Sequence, residues 1–289
     1  MLGAEPAPIA DNKQPRGAAG GGELAVRILS AFVLASLAIA AAYAGGWLFG
    51  AFWLVGAIGI WWEWTALVSG AGNRLLFVLG ATSLTLALAI AEIGMTRTPM
   101  LIIALGALGA GVFAPADRRI WAAGGLVYAG AVLTGAIMLR RDVELGLAAL
   151  LFLFAVVWAT DTLAYFAGRA LGGPKLAPKI SPNKTWSGAI GGAAGAVLAG
   201  VAVAMLAGLP NLWAIALVAL LLSIAAQAGD LFESAVKRRF GAKDASHLIP
   251  GHGGFMDRLD GFAAAVTAAV VFGVLRAGMD AAAQGLLLW

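Results

Sequence analysis

Apolar residues along this chain are gathered into blocks and do not alternate with polar ones. Nine blocks, at approximately 26–44, 47–69, 75–94, 99–116, 120–139, 145–168, 187–207, 211–229 and 262–285, are each long enough to cross a hydrocarbon layer about 30 Å thick as a helix. Short turns containing Gly, Asn, Pro or Asp separate most of them. Two connections, 169–186 and 230–261, are long and polar. The pattern predicts an all-α polytopic membrane protein with about nine transmembrane helices. Residues 1–24 are aperiodic and rich in Ala, Gly and Pro, which predicts a disordered tail. No basic end precedes an immediate apolar core there, so the tail does not read as a cleavable signal. Residues 25–289 form one integral membrane domain in this reading.

Charge gives the pattern a direction. Nine spans place the N-terminus and the loops near 70–74, 117–119, 169–186 and 230–261 on one side, with most of the 19 Lys and Arg residues. The other side keeps only Arg97, Arg140, Arg141 and Arg276. Basic residues concentrate in short cytoplasmic loops. The N-terminus and both polar loops are therefore expected in the cytoplasm, with the spans in the cell's inner (plasma) membrane. The net charge of +4 then reflects topology, and no nucleic-acid partner is expected. Charged residues make up 12% of the chain, about half of a soluble domain's share. The absence of cysteine excludes disulfides, thiolate metal sites and cysteine nucleophiles. Two histidines argue against a histidine-rich zinc site, leaving a hard cation on carboxylates as the metal chemistry open to this chain.

The polar residues cluster where the blocks end. In "AQAGDLFESAVKRRF", helical spacing puts Asp230, Glu233, Ser234 and Lys237 on one face past the end of the eighth block. Glu233 and Lys237 read as an ordinary helix-end salt bridge; Asp230, where the apolar run stops, reads as functional. In "GHGGFMDRLDG", Gly251, Gly253 and Gly254 allow close backbone approach to phosphate oxygens. Asp257 and Asp260, spaced i, i+3, open the ninth block, where one Asp alone could be only a helix cap. Carboxylates at two helix ends could converge on Mg²⁺, which takes one or two carboxylates plus substrate phosphates. His252, beside the glycines, is a candidate for a phosphate or base; His247 reads as structural.

The other polar loop follows Asp161, an intramembrane carboxylate and so a functional candidate. Asp161, Tyr165 and Arg169 lie along one helix face, and Lys175, Lys179, Ser181, Lys184 and Thr185 form a basic, hydroxyl-bearing loop suited to polyphosphate. Its "PNKT" is not a Walker A loop, which needs glycines where Pro178 and Asn183 stand. Glu63 in "WWEWTAL" is a further buried carboxylate, facing the site or paired with an arginine, among tryptophans that read as an interfacial belt. The pairs Gly188/Gly192 and Gly191/Gly195 read either as a homodimer face or, preferred, as close packing inside the bundle. Intramembrane Asp161 and Glu63 would also suit a transporter, but the crowding of polar residues in the C-terminal half shows no internal repeat.

Together the two loops resemble the phosphatidate cytidylyltransferase (CDP-diacylglycerol synthase) family. The resemblance rests on Ser234, Val236, Lys237, Arg238, Lys243, Asp244, Pro250, His252, Gly253, Gly254, Phe255, Asp257, Arg258, Leu259 and Asp260 at the family's spacings, with Gly229–Asp230 and Ser181-Pro182-x-Lys184-Thr185 upstream. One departure is Ser187, where the family commonly carries Glu. The resemblance implies that CTP and phosphatidic acid react to CDP-diacylglycerol and pyrophosphate, with Mg²⁺ and membrane lipids as partners. It implies Asp230 and Asp257 as metal ligands, Asp260 in support and Lys237 as a catalytic cation contacting substrate phosphate. Substrate phosphates would meet Arg238, Lys243 and Arg258, and Lys179, Ser181, Lys184 and Thr185 would close over the triphosphate or headgroup. Ser234, Asp244, His252, Gly253 and Gly254 complete the substrate-binding set. Asp161 would orient Arg169 or a lysine, or bind a second cation. A polyisoprenoid kinase or an archaeal-type CDP-lipid synthase would also use CTP, but the full His-Gly-Gly and Asp-Arg-x-Asp block favours the phosphatidate enzyme.

Overall fold

The computed structural model describes residues 20–70, 73–246, 248 and 253–289, with side chains from residue 29 onward. Its long helices are α1 (Gly20–Ala44), α2 (Gly46–Ser69), α3 (Arg74–Glu92), α4 (Thr98–Phe113), α5 (Arg119–Arg140), α6 (Gly146–Leu171), α7 (Trp186–Leu206), α8 (Leu212–Arg239) and α9 (Met256–Ala277). Seven of them, α2, α3 and α5 to α9, are long and apolar enough to cross a membrane. The apolar part of α1, Leu29–Ala44, and α4 are shorter. The chain is a multi-pass, all-α membrane protein. Of the expected tail, residues 1–19 lie outside the described residues, and residues 20–24 belong to α1, because the helix extends upstream of its apolar run.

Sequence sets several of the boundaries directly. Asn73 and Asn211 accept backbone N–H bonds from Leu76 and Ala214, both at 3.2 Å, and so start α3 and α8. The last apolar block does not run straight to residue 285. Gly278, at φ 84°, stops α9, and a 3₁₀ turn (Met279–Ala281) leads into a short α10 (Ala282–Leu287) that folds back against α9. One pair of strands, β1 (Lys175–Ala177) and β2 (Ser181–Thr185), interrupts the helical pattern as an antiparallel hairpin between α6 and α7.

Glycines set the tightest packing. A β-carbon on Gly188 would lie 2.8 Å from the Ala164 carbonyl oxygen, and one on Gly192 would lie 2.7 Å from that of Thr160. Gly191 and Gly195 abut Ala167 and Leu163 of the same helix. The small-residue pattern of α7 is therefore spent on α6, inside the bundle. The tryptophan belt is only partly real: Trp62 is exposed, whereas Trp61 and Trp64 are buried. Their indole N–H groups donate to the carbonyls of Phe77 (3.1 Å) and Trp121 (2.8 Å), which lets large rings sit in the core.

Connections expected on one side do meet one another. The Arg118 guanidinium lies 5.0 Å from the Phe240 ring centre and that of Arg239 lies 5.0 Å from Trp121, joining the α4–α5 turn to the end of α8. At the opposite end Arg140 donates to the Ala42 carbonyl (2.6 Å), Arg141 to that of Met95 (3.2 Å), and Thr96 to Asp280 (2.6 Å).

Candidate active site

Helix α8 carries its polar residues without a break. Of the polar stretch 230–261, residues 230–239 complete α8 and 256–261 begin α9, leaving 240–255 as the connection. The helical spacing holds through the last turns, where Lys237, Arg238 and Arg239 complement the negative end of the helix dipole. Gly229 brings the two helices into contact, since a β-carbon there would lie 2.6 Å from the Asp260 carbonyl oxygen. Asp230 and Asp260 thus sit beside each other at the seam.

Five carboxylates, Asp161, Asp230, Glu233, Asp257 and Asp260, share this end of the bundle. The charge of Asp260 is opposed by those of Asp230, Glu233 and Asp161, and Asp161 is opposed by Asp230 while attracted to Lys184 and Arg258. Lys184, from β2, forms an ion pair with Asp230 Oδ2. Lys237 Nζ lies 2.7 Å from Glu233 Oε2 and 2.5 Å from Asp257 Oδ1, so one buried ammonium serves two acids. The Glu233–Lys237 pair is the helix-end salt bridge that the i, i+4 spacing predicts. Glu233 is fully buried, and its Oε1 has no hydrogen-bond partner. Burial of that carboxylate costs free energy, which the Lys237 ammonium at its Oε2 offsets.

Asp257 does two jobs. Its Oδ2 accepts from the amides of Gly254 (2.8 Å) and Ala245 (3.2 Å), drawing together both ends of the connection, while Oδ1 takes Lys237. Gly253, at φ 77°, fits there because a β-carbon would meet the Asp257 carboxylate. The glycine-rich lead-in therefore accommodates the chain's own acids at close range, and the Gly254 amide is directed at Asp257.

The hairpin brings Lys184 to the acids. Thr185 Oγ1 accepts from the Gly188 amide (3.1 Å) and lies 3.0 Å from Ser187 Oγ, so it caps α7 and is buried. Ser187, the position at which the chain departs from the expected Glu, donates to the Gly172 carbonyl and closes the hairpin on the end of α6. Arg169 donates to Tyr165 Oη (2.8 Å), and the cations whose charge acts on Asp161 are Lys184 and Arg258.

The expected site residues thus divide. Asp161, Lys184, Asp230, Ser234, Lys237, Gly253, Gly254, Asp257, Arg258 and Asp260 lie at or around the α8–α9 seam. Lys179, Lys243 and Asp244 are exposed on the connections, and Ser181 starts β2. Arg238 donates to the Ala242 carbonyl (2.9 Å). His252 and His247 lie outside the described residues.

One residue escapes sequence reasoning, and so do the partners of another. Tyr128, in α5, buries a hydroxyl with no hydrogen-bond partner, in the field of Asp260, Glu233 and Asp230; its ring packs 5.4 Å from Trp64 and 6.2 Å from Phe232. Glu63, in α2, forms no ion pair with an arginine among the described residues, and it stands in the field of Asp257. Its Oε1 accepts from Ser246 Oγ (2.6 Å) and the Phe255 amide (2.8 Å), and its Oε2 from the Met256 amide (2.7 Å). No sequence signal links Glu63 to a segment nearly two hundred residues away.

Comparison with known proteins converges on one activity class. Residues 25–275 match the profile of the cytidylyltransferase family. The chain is 44% identical to the phosphatidate cytidylyltransferase of Brucella abortus over 265 residues, 89% of this chain and 96% of that one. It is 48% identical to the enzyme of the same name from Staphylococcus epidermidis over 118 residues, 40% of this chain and 45% of that one. The match to the Haemophilus influenzae enzyme is 48% over 126 residues, 42% and 44% of the two chains.

Proposed function

The chain belongs to the cytidylyltransferase family, and we propose that it transfers the cytidylyl group of CTP to phosphatidic acid, giving CDP-diacylglycerol and pyrophosphate. A phosphate oxygen of phosphatidic acid attacks the α-phosphorus of CTP. The bond from that phosphorus to the bridging oxygen breaks, and pyrophosphate leaves with the electron pair. A phosphate is ionised near neutral pH, so the step needs no strong base; it needs two anions held in line against their repulsion.

The observation that carries this reading is the meeting of Lys184, Lys237 and Arg258 with Asp161, Asp230, Asp257 and Asp260 where three apolar helices end. The carboxylates that act on one another here are donors of the kind a hard divalent cation takes, and among the described residues no three of them are gathered closely enough to ligate one ion by themselves. Asp230 and Asp257 would hold Mg²⁺ with Asp260 in support, and Asp161 would serve a second cation. Bound Mg²⁺ would neutralise charge developing on the phosphoryl oxygens. Lys184 pairs with Asp230 and Lys237 with Asp257. An arriving triphosphate would draw Lys184 from Asp230 and Lys237 from Asp257, freeing carboxylate oxygens as the ammonium groups turn to phosphate. Arg238, Lys243, Lys179 and Ser181 border this end of the bundle and would take outer phosphate oxygens or the lipid headgroup.

A water-soluble triphosphate has to meet a membrane-bound phosphate at the bilayer boundary. The reading therefore places this end of the bundle, with the N-terminus, on the cytoplasmic face of the inner membrane, with nine helices spanning or entering the bilayer. Purified protein in detergent micelles should release pyrophosphate from CTP only when phosphatidic acid and a divalent cation are both present. Release of CDP in place of pyrophosphate would identify a lipid kinase and refute the proposal.

A further inference from the structure

The two acids that close the 240–255 connection come from different places. Asp257 follows the connection in sequence, but Glu63 reaches it from α2 and is fully buried. Helix α9 begins without a side-chain cap of its own: Phe255 stands at the cap position in helical backbone geometry and offers none. Its first amides would be orphaned in an apolar bundle. Glu63 supplies the cap from another helix, accepting from Phe255 (2.8 Å) and Met256 (2.7 Å) at the positive end of the α9 dipole. It also takes the Ser246 hydroxyl (2.6 Å), which in turn accepts from the Leu248 amide (3.3 Å). Gly254 is packed so closely on this carboxylate that a β-carbon would meet it.

Asp257 is the next residue after Met256, and its Oδ2 binds Ala245 and Gly254, the neighbours of the residues bound by Glu63. We propose that Glu63 is a positioning residue for the transfer reaction: it fixes the height and rotation of the α9 N-terminus against α2 and thereby aims Asp257 at the seam. The role rests on the transfer reaction proposed above. It differs from a plain stability role because displacement of a reacting group by about 1 Å lowers turnover far more than it lowers substrate affinity.

Glutamine at this position tests it. An amide has one acceptor oxygen and turns an NH₂ towards a backbone N–H, so at least one of the three bonds is lost at nearly constant volume. Two measurements on the full chain in detergent decide the matter: hydrogen exchange of peptides covering 253–258, and steady-state kinetics against CTP, phosphatidic acid and Mg²⁺. In Glu63→Gln the Phe255 and Met256 amides should exchange at least tenfold faster, and kcat should fall on the order of 10- to 100-fold with the KM for phosphatidic acid within about twofold. Ser246→Ala, which removes one bond of three, should shift both readouts in the same direction by less. Wild-type exchange in Glu63→Gln, or faster exchange with unchanged kcat, overturns the proposal. If Glu63→Gln does not fold, Ser246→Ala decides alone, and wild-type values in both readouts overturn it. A wild-type chain without transferase activity would refute the reaction, while the exchange experiment would still report on the cap.

Discussion

Lys237 of α8 donates to Asp257 of α9 across 2.5 Å while holding Glu233 of its own helix at 2.7 Å. One cation thus joins the two helices that carry most of the candidate site. Removing it leaves two buried acids without their ammonium. Lys237→Ala should lower stability by about 3–5 kcal/mol, as breaking a buried pair does. Thermal unfolding in detergent would read the loss, and adding Glu233→Gln should recover part of it. An unchanged midpoint in the single variant would mean the ion pair is not formed.

Asp257→Asn keeps the shape but loses the charge. CDP-diacylglycerol formation should drop by on the order of 10²-fold or more, with the protein still monodisperse in detergent. Turnover near that of the wild type with CTP and Mg²⁺ would remove Asp257 from the metal set.

Lys184→Ala tests the exchange of partners. If Lys184 leaves Asp230 for the triphosphate, the variant loses a charge-assisted contact, and the KM for CTP should rise by about tenfold or more. The KM for phosphatidic acid should move less. The reverse order would place Lys184 on the lipid phosphate.

Gly254→Ala and Gly124→Ala form a contrasting pair. The first puts a methyl against Glu63 and should cost about 1–3 kcal/mol of stability. The second adds a methyl in a helix where nothing lies within 4 Å, and should be neutral or stabilising by up to about 1 kcal/mol. Equal effects in the two variants would show that contact with Glu63 does not constrain Gly254.

The chain has no cysteine, so single cysteines report sidedness without background. In intact cells a membrane-impermeant maleimide should label Val143→Cys, which is exposed at the Arg140 end, and leave Lys179→Cys unlabelled until the cells are opened. Labelling in the opposite order would invert the proposed topology.

The helical segments were readable because burial in a bilayer demands long apolar runs, and hydropathy reports them directly. Asp230, Asp257 and Asp260 were readable because local spacing and a long motif mark them. Glu63 was not, since hydropathy shows that an acid is buried but not which helix end it faces. Trp61 and Trp64 misled for a related reason: an indole can satisfy its N–H in the core as well as at an interface. The β1–β2 hairpin was hidden in a polar loop whose lysines and Pro182 give no strand alternation. That Asp161 stands near Asp230 depends on α6 and α8 meeting, which no short-range pattern encodes.

The glycine contacts between helices also bear on inheritance. Any single-nucleotide change that replaces a glycine adds at least a β-carbon. At Gly188, Gly192 and Gly229 that carbon would come within 2.8 Å of a carbonyl oxygen on the neighbouring helix. Natural variants at these positions should therefore be rare, although none of the three glycines is proposed to touch a substrate. Exposed positions such as Leu206 and Trp213 are free to drift.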